Sequence, residues 1–243
     1  RQLQQPDLDG IGNRHPARAA STEEEMKSFK SQLLWDAVLV VGAPLLLAAV
    51  ECFHPHPHDL LALDQRRWLA IHYAQTPLFP LSALAVAALV RGVADVAAGL
   101  CRAAMFVFAI SYTAFDTAAG VVTGILIKRA HESNAPEAWR AAIEAIWQHP
   151  IMGGSGSPFL AVLGAVALAV GTVTCAISLK RAGRPWPPVI LLAAAGFGLC
   201  IFKTHAWPGG PLTFGGIALS GGWLLWKGCR PNLSSGLPKP QSP

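Results

Sequence analysis

Six apolar blocks separated by shorter polar stretches dominate the chain, at 33–53, 68–90, 103–127, 158–179, 186–202 and 211–226. In hydrocarbon every backbone polar group must be bonded within its own segment, and about 20 apolar residues carry a helix across. The first four blocks reach or approach that length. The last two come to roughly 24–26 Å at about 1.5 Å per residue, against about 30 Å of hydrocarbon, so they either span a thinned region or form a re-entrant hairpin. Both arrangements leave the C-terminus on the same side. The pattern predicts an all-α, polytopic membrane helix bundle of about six transmembrane helices, with the first kinked at Pro44.

The ends read differently. Residues 1–31 are polar, with Pro6, Pro16 and an acidic run at 23–25, and 228–243 are rich in Pro and Ser; both are expected to be disordered cytoplasmic tails. They flank a six-helix transmembrane domain at 32–227. Met26, followed by two lysines and an apolar run, is an alternative start. The stretch LLAAVECF lacks a small-x-small cleavage site, and Glu51 before Cys52 spoils a lipoprotein signal.

Counted on alternate sides of the six blocks, 13 of the 19 Lys and Arg residues fall on the side of the N-terminus and six opposite. The positive-inside rule then places both termini in the cytoplasm. Trp35, Trp186, Trp223 and Trp226 fall at that boundary and Trp68 and Trp207 at the other, as an aromatic belt requires. Two outer loops carry helix signals. The run DLLALDQRRWLAIHY follows Asp59 as N-cap, and Asn134 with Glu137 reads as a capping box before 138–148. Trp139, Ile143, Ile146 and Trp147 would share an apolar face, with Arg140 and Glu144 opposite, so both helices are expected to lie in the membrane interface.

Composition agrees. Only 14% of residues are charged, 52% are hydrophobic and the mean hydropathy is +0.40, where a soluble domain carries about 25% charged residues. The lipid bilayer is therefore the expected partner. The formal charge of +5 is dispersed between apolar blocks and forms no stripe, so no nucleic-acid partner is expected. Five scattered cysteines without C-x-x-C give neither a disulfide framework nor a zinc ribbon. Twelve Arg against seven Lys and abundant Ala suggest a GC-rich bacterial genome, hence a bacterial cytoplasmic membrane.

Seven of the eight histidines fall on the outer side in this topology, with only His15 in the cytoplasmic tail. His54, His56, His58 and Asp59 crowd into HPHPHD, and imidazole suits zinc, copper or nickel, so a divalent transition metal is a candidate cofactor there. The prolines favour polyproline II, which points successive histidines in different directions, so a stiff polar exit loop is the alternative. Asp116 lies near the middle of the third block, where a charge costs at least about 2.5–3.5 kcal/mol. It should face the bundle, with Tyr112, Gly120 and Gly124 beside it in i,i+4 steps, the glycines allowing close helix approach. His72 and Gln75 on the second helix are placed to line a vestibule above it. Asp116 would serve as a proton, cation or substrate-amine site, or else only fix packing. No P-loop, H-E-x-x-H, dinucleotide fingerprint or nucleophile–base set is present, which disfavours classical soluble enzyme chemistry.

The blocks HYAQTPLFPLSALAVAALVRG and FVFAISYTAFDTAAGVVTGILI, with an HP at the exit of the first helix, resemble a group of uncharacterised polytopic bacterial membrane proteins, many from actinobacteria. The resemblance runs over 33–226 and is most specific at Tyr112, Asp116 and Gly120. It implies membrane architecture and draws attention to His54, His72 and Asp116 without assigning them a role. The expected function is small-solute or cation binding and transport through a pocket near Asp116 below a histidine-rich outer mouth. The alternative is a structural or assembly subunit, held to a membrane-protein partner or to further copies of itself. An intramembrane metalloenzyme is a third reading that lacks a recognisable acid/base set.

Overall fold

A computed structural model describes residues 31–228 apart from 33, 57 and 58. The tails expected at 1–31 and 228–243 fall, but for residues 31 and 228, outside the described residues. Contacts divide the chain into Arg1–Asp36 and Ala37–Pro243, and the fold below is that of the second unit. All of its regular structure among the described residues is helical.

A π-helical turn at Val38–Gly42 leads into α1, Ala43–Cys52. Pro44 sits in the first turn of α1, and the wide turn before it accommodates the proline that the sequence predicts as a kink. Next come α2 at Gln65–Ala88, α3 at Val96–Glu132, α4 at Arg140–Trp147, α5 at Phe159–Arg181, α6 at Trp186–Phe202 and α7 at Gly209–Gly228. Leu34–Cys52, Val96–Glu132 and Phe159–Arg181 are long and apolar enough to cross a membrane, and Trp186–Phe202 is a shorter apolar helix.

Each long helix packs on the next in chain order, and α7 returns to pack on α1, closing a ring of α1, α2, α3, α5, α6 and α7. The closure depends on small residues. A Cβ on Gly216 would stand 2.7 Å from the Ala195 Cβ of α6, and one on Gly221 would stand 2.6 Å from Val40. Gly216 and Gly221 therefore allow close approach on two sides of α7. Outside the ring, Leu45, Leu46, Leu100, Phe106, Ile110, Val166, Val170, Ile190 and Leu219 are exposed. Such an apolar exterior is compatible with lipid as the surrounding medium.

Several local expectations need correction. Asp59 caps only a short 3-10 turn, Leu60–Ala62, through Oδ1 and the Leu61 N–H. Asp64 starts a new helix by accepting from the N–H groups of Arg66 and Arg67, so RRWLAIHY belongs to α2 and not to an interfacial helix. The third block extends at both ends, because Asp95 caps it at Ala98 N–H and Arg102 folds back on the Val93 carbonyl at 2.8 Å without interrupting it. In the third loop no side chain caps the helix. Asn134 takes a left-handed φ of 58°, and Glu137 pairs with Arg140 at 2.7 Å in place of closing a capping box. α4 buries Ile143 against Leu61, Trp68 and Ile127. The glycine stretch after it is also fixed, with Ser155 N–H donating to the Trp147 carbonyl at 3.0 Å.

Candidate functional site

The helices place their buried acidic and imidazole side chains, Glu51, His72 and Asp116, toward one end of the ring, where the links 53–64, 133–158 and 203–208 meet. From α2, His72 and Gln75 point inward; from α3, Tyr112 and Asp116 do so; all four are at most 3% exposed. The four residues predicted to line a solute site are thus all inside the ring. Directly after Asp116, α3 widens into a π-helical segment, Thr117–Val122, a distortion that recurs at functional sites. Within it Gly120 approaches α2 so closely that its carbonyl accepts from Trp68 Nε1 at 2.7 Å. A Cβ there would lie 1.7 Å from the His72 ring.

Hydrogen bonding fixes the chemistry of the two nearest histidines. A carbonyl oxygen only accepts, so the ring nitrogen facing it must carry the proton. His72 Nδ1–H donates to the Trp68 carbonyl at 2.8 Å, and His54 Nδ1–H donates to the Pro55 carbonyl at 2.9 Å. In neutral rings this leaves both Nε2 atoms as lone pairs, and they face each other at 3.3 Å. His54 lies beyond the end of α1. Burial, and then the neighbouring His205 and His72, hold its pKa well below the ordinary histidine range.

Asp116 Oδ1 stands 3.8 Å from His72 Nε2, too far for a hydrogen bond. Neither of its buried oxygens has a hydrogen-bond partner in the protein. Behind this group, His205 Nδ1 meets Glu51 Oε2 at 3.1 Å, and Gln75 reaches the same nitrogen at 3.3 Å. Burial disfavours charge on His205, but the Glu51 carboxylate, with help from Asp116, outweighs it, and the pKa of this link residue moves upward.

His54, His72, His205 and Asp116 share the wall of a cavity of about 500 Å³, otherwise lined largely by apolar groups such as Phe115 and Leu199. Exposed His56 and Lys203 also line it, so it reaches the surface at the end of the ring where the links meet. Known protein families, curated proteins and solved structures contain no match to this chain.

The described members of the predicted HPHPHD set point in different directions. His54 turns inward to His72, while His56 is exposed. Asp59 is committed to Leu61 N–H and, at 3.1 Å, to Arg140. His58 lies outside the described residues. Among the described residues, no group of three or more His, Cys, Asp or Glu side chains stands arranged to hold a metal ion. Proline-linked extended backbone explains the divergence, since successive side chains leave it in different directions.

Sequence reasoning missed two members of the site. Glu51, fully buried on α1, and His205, in the link before α7, meet only because α7 returns to α1. A carboxylate inside an otherwise apolar run was the available signal for Glu51. For His205 it was a histidine set in the Pro-Gly turn HAWPGGP.

Proposed function

We propose that the chain is a multi-pass integral protein of a bacterial cytoplasmic membrane that binds a small cationic solute at Asp116 and passes it through the ring. In this reading all six long helices span, both termini are cytoplasmic, and the cavity opens on the outer face under the histidine-bearing links. The 13-to-six distribution of basic residues supports that orientation.

The observation that carries the reading is Asp116 itself. It is 1% exposed, both oxygens lack a protein partner, and it lies on the wall of a cavity that reaches the surface. A buried carboxyl group of this kind is costly, and buried polar groups are otherwise almost always satisfied. A positively charged ligand entering the cavity would supply the missing partner.

The test is binding and uptake by purified protein in detergent and in proteoliposomes, with monovalent cations, divalent cations and small organic amines as probes. Wild type should take up at least one of these, and Asp116→Asn should lose it while eluting as the same folded species. Uptake and binding unchanged in Asp116→Asn would remove the proposal.

A further inference from the structure

We infer that the cation bound at Asp116 is a divalent first-row transition metal, ligated by the Nε2 atoms of His54 and His72 and by the Asp116 carboxylate. This rests on the reading of Asp116 as a cation site and names the class of cation. Two lone pairs facing each other at 3.3 Å repel unless something electron-poor lies between or beside them. A shared proton would bridge the two nitrogens alone, whereas a metal ion would engage the free Asp116 carboxyl as well. With metal–nitrogen bonds of about 2.0–2.1 Å, two nitrogens 3.3 Å apart subtend about 104–111° at the ion, close to a tetrahedral angle.

The surroundings of both rings fit the same assignment. Metal-binding histidines almost always donate their other N–H to a carbonyl or carboxylate, which fixes the tautomer and directs the lone pair. His72 does this to Trp68 and His54 to Pro55. Neither ring has a proton to lose before it can ligate. The third donor stands 3.8 Å from His72 Nε2 with both oxygens free, so rotation of the Asp116 side chain toward the pair would bring it to the ion. Two histidines and one carboxylate leave a coordination position that faces the cavity, where water or a small anion fits. Imidazole and carboxylate together favour zinc and its first-row neighbours over calcium or magnesium. His56, exposed on the same link, takes no part.

The experiment loads full-length protein in detergent with zinc or cobalt(II), removes excess metal, and measures bound metal per chain together with the cobalt(II) absorption spectrum. One equivalent is expected, with the intense visible bands of a tetrahedral site. His54→Ala and His72→Ala should each lose stoichiometric binding at concentrations that saturate wild type. Asp116→Asn should weaken it at least about tenfold, and His56→Ala should keep it. Because His72 is buried and its variant could misfold, His54→Ala on the link serves as the deciding variant, checked by unchanged elution and helical circular dichroism. Absence of metal in wild type, retention in His54→Ala, or loss in His56→Ala would each overturn the inference. If wild type binds no zinc or cobalt but takes up another cation in an Asp116-dependent way, the metal assignment fails and the cation site stands. If Asp116→Asn changes nothing for any probe, both fail.

Discussion

Replacing Gly120 by alanine should separate α2 from α3 at the point where the site is built. The added Cβ would lie 1.7 Å from His72 Cδ2 and 2.5 Å from both Cγ and Nε2. Ordinary carbon contacts begin at about 3.5–4.0 Å, so the ring and the helix must part by about 2 Å. The ring has nowhere to go, being 2% exposed and held by the Trp68 carbonyl. Either that hydrogen bond breaks or α3 moves off α2 and lengthens the 2.7 Å bond from Trp68 to the Gly120 carbonyl. Overpacking of this kind costs about 1–3 kcal/mol. At about 2–4 °C per kcal/mol for a chain of this size, that is a fall of roughly 2–12 °C in Tm. Thermal unfolding in detergent, followed by circular dichroism, measures it. Gly99→Ala on the same helix is the control, since a Cβ there meets nothing within 4 Å. Its gain in helix propensity, up to about 1 kcal/mol, should hold or raise Tm. A Gly120→Ala protein that melts with wild type, with its His72 imidazole resonances unmoved, would refute the close packing of α3 on His72.

Three further outcomes follow from the same geometry. His205→Ala should cost at least about 1–3 kcal/mol, because the fully buried Glu51 would lose the histidine that faces its Oε2 while Oε1 already lacks a partner; Glu51→Gln combined with it should recover part of the loss, and a single variant as stable as wild type would contradict the pairing. Arg140 holds the carboxyl groups of Asp59 and Glu137 below the usual carboxylate range, so their contribution is complete above ordinary carboxylate values near 4 and lost as pH falls through the lowered ones. Hydrogen exchange of α4 amides should therefore quicken relative to the ring at strongly acid pH, and Arg140→Ala should abolish that extra acid sensitivity. Finally, fusions after 228 should report a cytoplasmic C-terminus and insertions near Ser155 an external loop, with the reverse pattern overturning the orientation.

The helices were legible because long apolar runs can only close their hydrogen bonds within themselves, and Asp116 stood out as a lone carboxylate within one. Which of the six segments cross was less legible. α2 contains His72, Gln75 and two prolines, and α6 is interrupted after Ala195, so length and apolarity alone single out three. The i,i+4 reading of Tyr112, Asp116 and Gly120 succeeded although the π-helical segment changes the spacing after Asp116, because the wide turn still presents Gly120 to α2. The histidine run was partly legible. Three imidazoles within a few residues suggest a chelate; among the described ones His54 turns into the ring, and its partner comes from 18 residues downstream. Glu51 and His205, 154 residues apart, could not be joined by any local pattern.

That last pairing shows why the polar groups gather at one end. In a ring built in chain order, the extensive contacts are between consecutive helices, apart from the closing one of α7 against α1. Glu51 sits on that seam beside Gly210, where a Cβ would stand 2.8 Å from its Cγ, so only a glycine lets the link fold back over the carboxylate. The fold of that link delivers His205 to Glu51, and its ring lies with centroid 4.7 Å from that of His54. His54 in turn faces His72, which packs on Gly120. A chain of buried polar contacts thus runs from the closing seam to the π-helical segment of α3. Disturbing the seam at Gly210, which abuts the His205 carbonyl, should therefore be felt at His72 through His205 and His54.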